Sequence, residues 1–132
     1  MKYKNEYESN LKKVIKNHFD SLAKHRSLWV KRAKSFYKED NLMMHEFIPA
    51  GSKVLEIGSG NGQLLSSLKT KKGVGIDISS KMINLAKEEH KNLNFIRADA
   101  EKTNFFEQTS DKFNFIIISD TIGYLFDIEE TL

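Results

Sequence analysis

In the stretch VLEIGSGNGQLL, residues 54–65, three glycines stand at alternate positions, Gly58, Gly60 and Gly62, and Glu56 precedes the first of them by two. Directly after an apolar run, such a loop lets the chain turn sharply and brings its backbone against a ligand, because no Cβ stands between them. A G-x-G-x-G on its own is as readily a tight turn, so its downstream company decides. Nineteen residues after Gly58, Asp77 closes the run GVGIDI, and Asp99 follows in RADAEKTNF. An ionised carboxylate only accepts hydrogen bonds, which suits Asp77 to the two hydroxyls of a ribose. Its other use, capping the next helix, is already served by Ser79 or Ser80. Asp99 stands where it can accept from an exocyclic amine in the same crevice. The dinucleotide pattern G-x-G-x-x-G is not met, because Gln63 occupies the position three after Gly60. Glu56 would also repel a pyrophosphate, whereas a ligand with a positive charge beside its ribose would tolerate it.

The elements that must position these residues follow from hydrophobic periodicity. Tyr7, Leu11, Val14, Ile15, His18, Phe19 and Leu22 recur at helical spacing and predict one amphipathic helix over residues 5–24. A second helical stretch carries Leu28, Trp29, Arg32, Ala33, Phe36 and Tyr37, and a third, Asn41 to Ile48, is stopped by the only proline, Pro49. The aromatics Trp29, Phe36 and Tyr37 are expected in the core. Beyond Pro49 the period changes to short β-branched or aromatic runs at 53–57, 73–78, 93–98 and 112–119, the last nearly continuous, as in parallel strands covered on both faces. Helical pieces lie between them at 63–69 and 80–90, a short irregular piece separates the third strand from the fourth, and a last helix begins in DIEETL. This alternation predicts a doubly wound α/β sheet with the glycine loop and both aspartates at its strand ends. Residues 1–48 form a helical lead-in and 49–132 the sheet domain.

Composition narrows the function classes. With 132 residues and 39% hydrophobic content, the chain holds a real core and one domain's worth of sequence. No window approaches a membrane span and MKYKNEYESN has no secretory h-region, so the expected location is cytoplasmic. There are no cysteines and the four histidines are scattered, which predicts no metal site. The net charge of +3 conceals a basic arm: residues 1–40 hold 11 Lys/Arg against 5 Asp/Glu, a balance of +6, and the remainder 10 against 13, a balance of −3. A solvated helix face explains such an arm better than a nucleic-acid partner, since no aromatic-interleaved basic motif accompanies it.

Taken together, E-x-G-x-G-x-G at 56–62, G-x-G-x-D at 73–77 and the aspartate after the third strand resemble the class I S-adenosylmethionine-dependent methyltransferases. The resemblance covers residues 50–132, and HFDSLAKHRSLWVKRAKSFY is similar to the helical lead-in of small-molecule methyltransferase domains associated with glycosyltransferases. It implies a Rossmann-like, mostly parallel sheet of order 3-2-1-4-5-7-6 that binds S-adenosylmethionine and releases S-adenosylhomocysteine. By position, Gly58, Ser59, Gly60 and Gly62 would carry the loop past the methionine and ribose of the cofactor, and Glu56 would meet its amino acid part. Asp77 would hold the ribose, Ile78 and Met82 would pack on the adenine, and Asp99 with the Ala100 main chain would read its amino group. Ser119 and Asp120 would sit beside the methionine amino group and the reacting methyl. The catalytic base stays open, with His18, His25, Asp120 and Tyr124 as candidates.

Against that family pattern only strands 3-2-1-4 are accounted for, and strands five to seven are absent. Strand four, central in the family, would then be an edge with an uncovered apolar face, which invites pairing. The expectation is a fragment whose C-terminal portion pairs with strand four, or a dimer made there. Two further readings stand beside a methyltransferase acting on a small molecule: a nucleotide-binding oxidoreductase domain, and a methyltransferase-like scaffold without catalysis. SDTIGYL, where an Asn-Pro-Pro-Tyr type motif would stand, lowers methylation of nucleobase amino groups.

Overall fold

The computed structural model describes residues 2–102 and 110–131. The chain runs through helices α1 (Lys2–Arg32) and α2 (Lys34–Phe47), strand β1 (Lys53–Ile57), α3 (Gln63–Ser67), β2 (Lys72–Asp77), α4 (Ser80–Glu89), β3 (Asn94–Arg97) and β4 (Phe115–Ile118). A 3-10 turn at Ile122–Tyr124 and a short α5 (Ile128–Thr131) follow. The strands form one parallel sheet of order β3-β2-β1-β4. That is the predicted Rossmann-like α/β architecture in its predicted order, with β1 opposite β2 from Lys53↔Lys72 to Ile57↔Ile76. The strands lie within a residue or two of the expected limits, except that β4 begins at Phe115 instead of residue 112. The irregular piece expected between strands three and four falls largely on residues 103–109, outside the described residues.

The N-terminal segment differs from its expectation. Three helical stretches are two helices, because α1 runs unbroken through the predicted stop at residue 24 and gives way to α2 only at Ala33. Hydrogen bonds from Ala33 N–H to Trp29 O at 2.8 Å and from Tyr37 N–H to Ala33 O at 3.2 Å carry helical pairing across the junction, so it is a bend instead of a loop. Trp29 and Phe36 are not core residues: they are 40% and 63% exposed, since the inward face of these helices is set by other positions.

The central strands β1 and β2 are buried on both faces, as in parallel sheets. Successive β1 residues divide between them: Val54 joins Leu65, Leu68, Ile83, Ala86, Phe95 and Ile117 on the side of α3 and α4, while Leu55 and Ile57 join Val74 and Ile76 on the other. Apart from Ala86, each of these buried side chains contributes about 1.5–3 kcal/mol of transfer free energy. Ser79 starts α4, its hydroxyl accepting from Met82 N–H at 3.1 Å, so the helix cap is the serine that the sequence offered for it. Among the described residues β4 pairs only with β1, and Ile116 on it is 44% exposed. β4 is thus an edge strand with apolar side chains at its border.

Candidate functional site

The glycine loop leaves β1 at its C-terminal end and doubles back under hydrogen bonds from Gly58 N–H and Ser59 N–H to Ile76 O at 2.8 and 3.0 Å. Gly58, Gly60 and Gly62 all have positive φ, at 74°, 52° and 77°, a region that side-chain-bearing residues avoid. Their surroundings separate their roles. A Cβ on Gly60 would meet nothing within 4 Å, so this glycine opens the space above the loop. A Cβ on Gly58 would collide with the Thr121 side chain, so there the loop packs against the segment leaving β4. Gly62 is buried against the Phe95 ring and, unlike the other two, does not line the cavity.

That cavity, of about 310 Å³, lies at the C-terminal ends of the strands. Glu56, Gly58, Ser59, Gly60, Asp77, Ile78, Met82, Asp99, Ala100, Ser119 and Asp120 all line it. Eleven of the twelve positions singled out from sequence therefore share one wall system, and only Gly62 stands apart. Of the candidate bases, Asp120 and Tyr124 border the cavity, whereas His18 and His25 do not: both are exposed, His18 edge-on to Phe19 and His25 beside Trp29. Asp120 also holds a φ of 54°, a conformation aspartate tolerates better than most residues but still adopts at a cost.

Asp77 anchors the loop from the neighbouring strand. Gly60 N–H donates to its Oδ2 at 2.9 Å and Ser79 N–H to its Oδ1 at 2.8 Å. Each oxygen keeps a second lone pair for a ligand hydroxyl. Burial raises the Asp77 pKa, the backbone N–H groups of Ser79 and Gly60 oppose the rise, and the charge of Asp20 adds to it. Glu56 is more strongly affected. It is 3% exposed, and burial lifts its pKa to about 8, against the lowering effect of the Leu65 N–H and with a further push from Asp77. Its Oε2 and the Ser59 hydroxyl are buried with no hydrogen-bond partner among the described residues. Unpaired polar atoms in such a place are costly unless a ligand satisfies them. An ammonium and neighbouring polar groups of a bound molecule would do so, and a cofactor carrying an amino acid and a nucleoside fits this set of donors and acceptors.

The sequence reading missed the opposite wall. Helix α1 lies across the strand ends and supplies Lys12, Ile15, Phe19, Leu22 and Arg26, and α2 adds Tyr37 and Asn41. Lys12 Nζ donates to Asp99 Oδ1 at 2.8 Å. Asp20, four residues after its partner Lys16, accepts from the Ser79 hydroxyl at 2.5 Å and from Lys81 N–H at 3.2 Å. Its pKa is lowered: burial alone would raise it, but the bonds from Lys16, Ser79 and Lys81 outweigh that. Phe19 stacks edge-on with Tyr124, centroids 5.2 Å apart. Arg26 is near enough to Glu56 to favour its charged form, and its guanidinium lies 5.5 Å from the centre of the Tyr37 ring. The overlooked signal was the stripe 12-15-19-22-26, helically spaced and apolar except for a cation at each end.

Comparison with known proteins agrees with the fold. A family model described as a methyltransferase domain matches residues 48–132. Among solved structures the chain is similar to an S-adenosylmethionine-dependent methyltransferase, possible histamine N-methyltransferase, of Thermotoga maritima, with 21% identity and a TM-score of 0.71 over 88% of this chain and 52% of that one. It is similar also to the methyltransferase bound to the Trm112 activator of Haloferax volcanii, with 21% identity and a TM-score of 0.58 over 76% and 46%. An S-adenosylmethionine-dependent methyltransferase of Geobacter sulfurreducens in complex with S-adenosylhomocysteine matches with 25% identity and a TM-score of 0.50 over 64% and 36%. The chain spans between about a third and three fifths of the length of the solved structures it matches. No match was found among the curated proteins. No helix among the described residues is long and apolar enough to cross a membrane.

Proposed function

Because the chain belongs to the methyltransferase-domain family and has the class I S-adenosylmethionine-dependent methyltransferase fold, we propose that it is the cofactor-binding part of a cytoplasmic enzyme that methylates a small molecule. The observation that carries this reading is the convergence of Gly60, Asp77, Asp99 and the unpaired Glu56 and Ser59 atoms on one cavity. When bound, S-adenosylmethionine supplies an electrophilic methyl on a sulfonium, so the protein's task is alignment and exclusion of water. In this reading Asp77 accepts from the ribose hydroxyls, Ile78 and Met82 flank the adenine, and Asp99 reads its amino group. Glu56 and Ser59 receive the amino acid end of the cofactor. Helix α1 closes the cavity over them, with Phe19 and Leu22 shielding it from water. For an acceptor that must lose a proton, Asp120 and Tyr124 are the cavity-lining candidates for the base.

A small-molecule acceptor is supported by the use made of the basic arm. Lys12 and Lys16 are engaged in internal ion pairs with Asp99 and Asp20, which removes them from any nucleic-acid footprint. The exposed β4 edge supports a functional form in which a further strand covers it, from a C-terminal continuation or a second copy. Calorimetric titration with S-adenosylhomocysteine and, separately, NADH tests the cofactor: the first binds and the second does not. Preference for NADH would move the domain to the oxidoreductases, and binding of neither would leave a scaffold.

A further inference from the structure

Lys12, at the nucleobase end of the cavity, has a placement that the loop and Asp77 do not require. It lies on α1 only 9% exposed, although lysine normally keeps its ammonium in water. Its Nζ donates to Asp99 Oδ1 at 2.8 Å and pairs with the Glu101 carboxylate. Glu101 N–H donates to the same Oδ1 at 3.2 Å. Both bonds therefore fall on one oxygen of Asp99, and Oδ2 accepts from no donor among the described residues. Glu101 is itself fixed, its Oε1 accepting from Phe126 N–H and Asp127 N–H, and the Phe126 ring lies 5.5 Å from the Lys12 ammonium. One buried cation thus joins α1, the segment after β3 and the segment after the 3-10 turn at the point where a purine would be read.

We propose that Lys12 is a positioning residue for nucleobase recognition: by holding Asp99 through Oδ1 it keeps Oδ2 free to accept from the exocyclic amine of adenine, and so makes the site selective for a 6-amino over a 6-oxo purine. The proposal rests on the adenosyl-cofactor reading above. The chemistry follows from donor and acceptor counting. A carboxylate fixed by two donors on one oxygen cannot swing away, and its other oxygen meets a donor in adenine but an acceptor in the 6-oxo base. Two acceptors facing each other in a partly buried site leave both unpaired, which is how polar sites reject close analogues. The basic residue on α1 thereby links closure of the helix to the identity of the base beneath it.

Calorimetry with S-adenosylhomocysteine and its 6-oxo counterpart, S-inosylhomocysteine, on the wild-type chain, Lys12→Met, Lys12→Arg and Asp99→Asn tests this. The wild type is expected to prefer the amino compound by at least about tenfold. Lys12→Met should weaken S-adenosylhomocysteine and narrow the preference to within about threefold, Lys12→Arg should largely restore it, and Asp99→Asn should narrow it as well, with Lys12→Met adding nothing further. A Lys12→Met variant that weakens both compounds by the same factor, or neither, overturns the proposal by reducing Lys12 to a structural tie. If thermal melts show that Lys12→Met does not fold, Asp99→Asn decides: full preference without the carboxylate is equally fatal. Failure of the wild type to bind either compound would instead bring down the cofactor reading itself, an outcome distinct from binding without selectivity.

Discussion

Glu56 offers the sharpest test of the site's electrostatics, because its carboxyl is buried and raised from an ordinary 4.5 to about 8. A carboxyl raised in the folded state binds a proton there that the unfolded chain releases, so stability falls as pH climbs from the unfolded value through the folded one. At about 1.4 kcal/mol for each pH unit separating the folded and unfolded values, the contribution lost between pH 5 and pH 9 is about 4 kcal/mol. Glu56→Gln keeps the shape and removes the titration. Urea denaturation of both proteins at pH 5, 7 and 9 should give a wild-type stability that drops more steeply than the variant's, with the variant the more stable at pH 9. Asp20, whose pKa is lowered, contributes in the opposite sense but below the tested window, where falling pH takes its stabilisation away. Binding of S-adenosylhomocysteine at pH 7 should also release close to one proton, since its ammonium would favour the ionised Glu56. That release, read from calorimetry in buffers of different ionisation enthalpy, should vanish in Glu56→Gln. Parallel stability profiles for the two proteins would refute the reasoning.

Four further outcomes follow from the structure. Gly60→Ala places a methyl in open cavity space, costing about 1–2 kcal/mol for its positive φ while lowering S-adenosylhomocysteine affinity at least about tenfold by calorimetry. Gly58→Ala drives its methyl into Thr121 and should cost more in stability, about 2–4 kcal/mol in thermal or urea unfolding. Asp77→Ala removes the acceptor for two backbone N–H groups as well as the expected ribose contact, and should weaken S-adenosylhomocysteine by at least about a hundredfold in the same titration. The β4 edge should drive association: light scattering should find dimers or larger species that a charged substitution, Ile116→Lys, reduces, and a monodisperse monomer would count against that.

What the sequence revealed and what it hid divide along physical lines. The sheet and its order were legible because parallel strands buried on both faces are short apolar runs, and because glycine at Gly58 and Gly60 answers to a backbone need that no other residue meets well. Asp77 and Asp99 were legible because strand ends in such a sheet face one crevice. The wall made by α1 was not. Ile15, Phe19 and Leu22 were seen as one helix's apolar face, but nothing local says what that face covers, and Lys12 and Arg26 read as part of a solvated basic arm until tertiary packing buried the one and brought the other to the cavity. The break between the helices was misplaced because Ala33 carries no capping signal. His18 and His25 were drawn in as bases by residue type alone, and their exposed positions show how little type says without placement.

The most direct measurement of the central claim is a crystal structure of the chain grown with S-adenosylhomocysteine. The account predicts the ribose hydroxyls within hydrogen-bond distance of the Asp77 carboxylate, the adenine between Met82 and Asp99 beneath α1, and the ammonium beside Glu56. A ligand seated elsewhere, or a ribose turned away from Asp77 with the Gly60 side of the cavity empty, would contradict it.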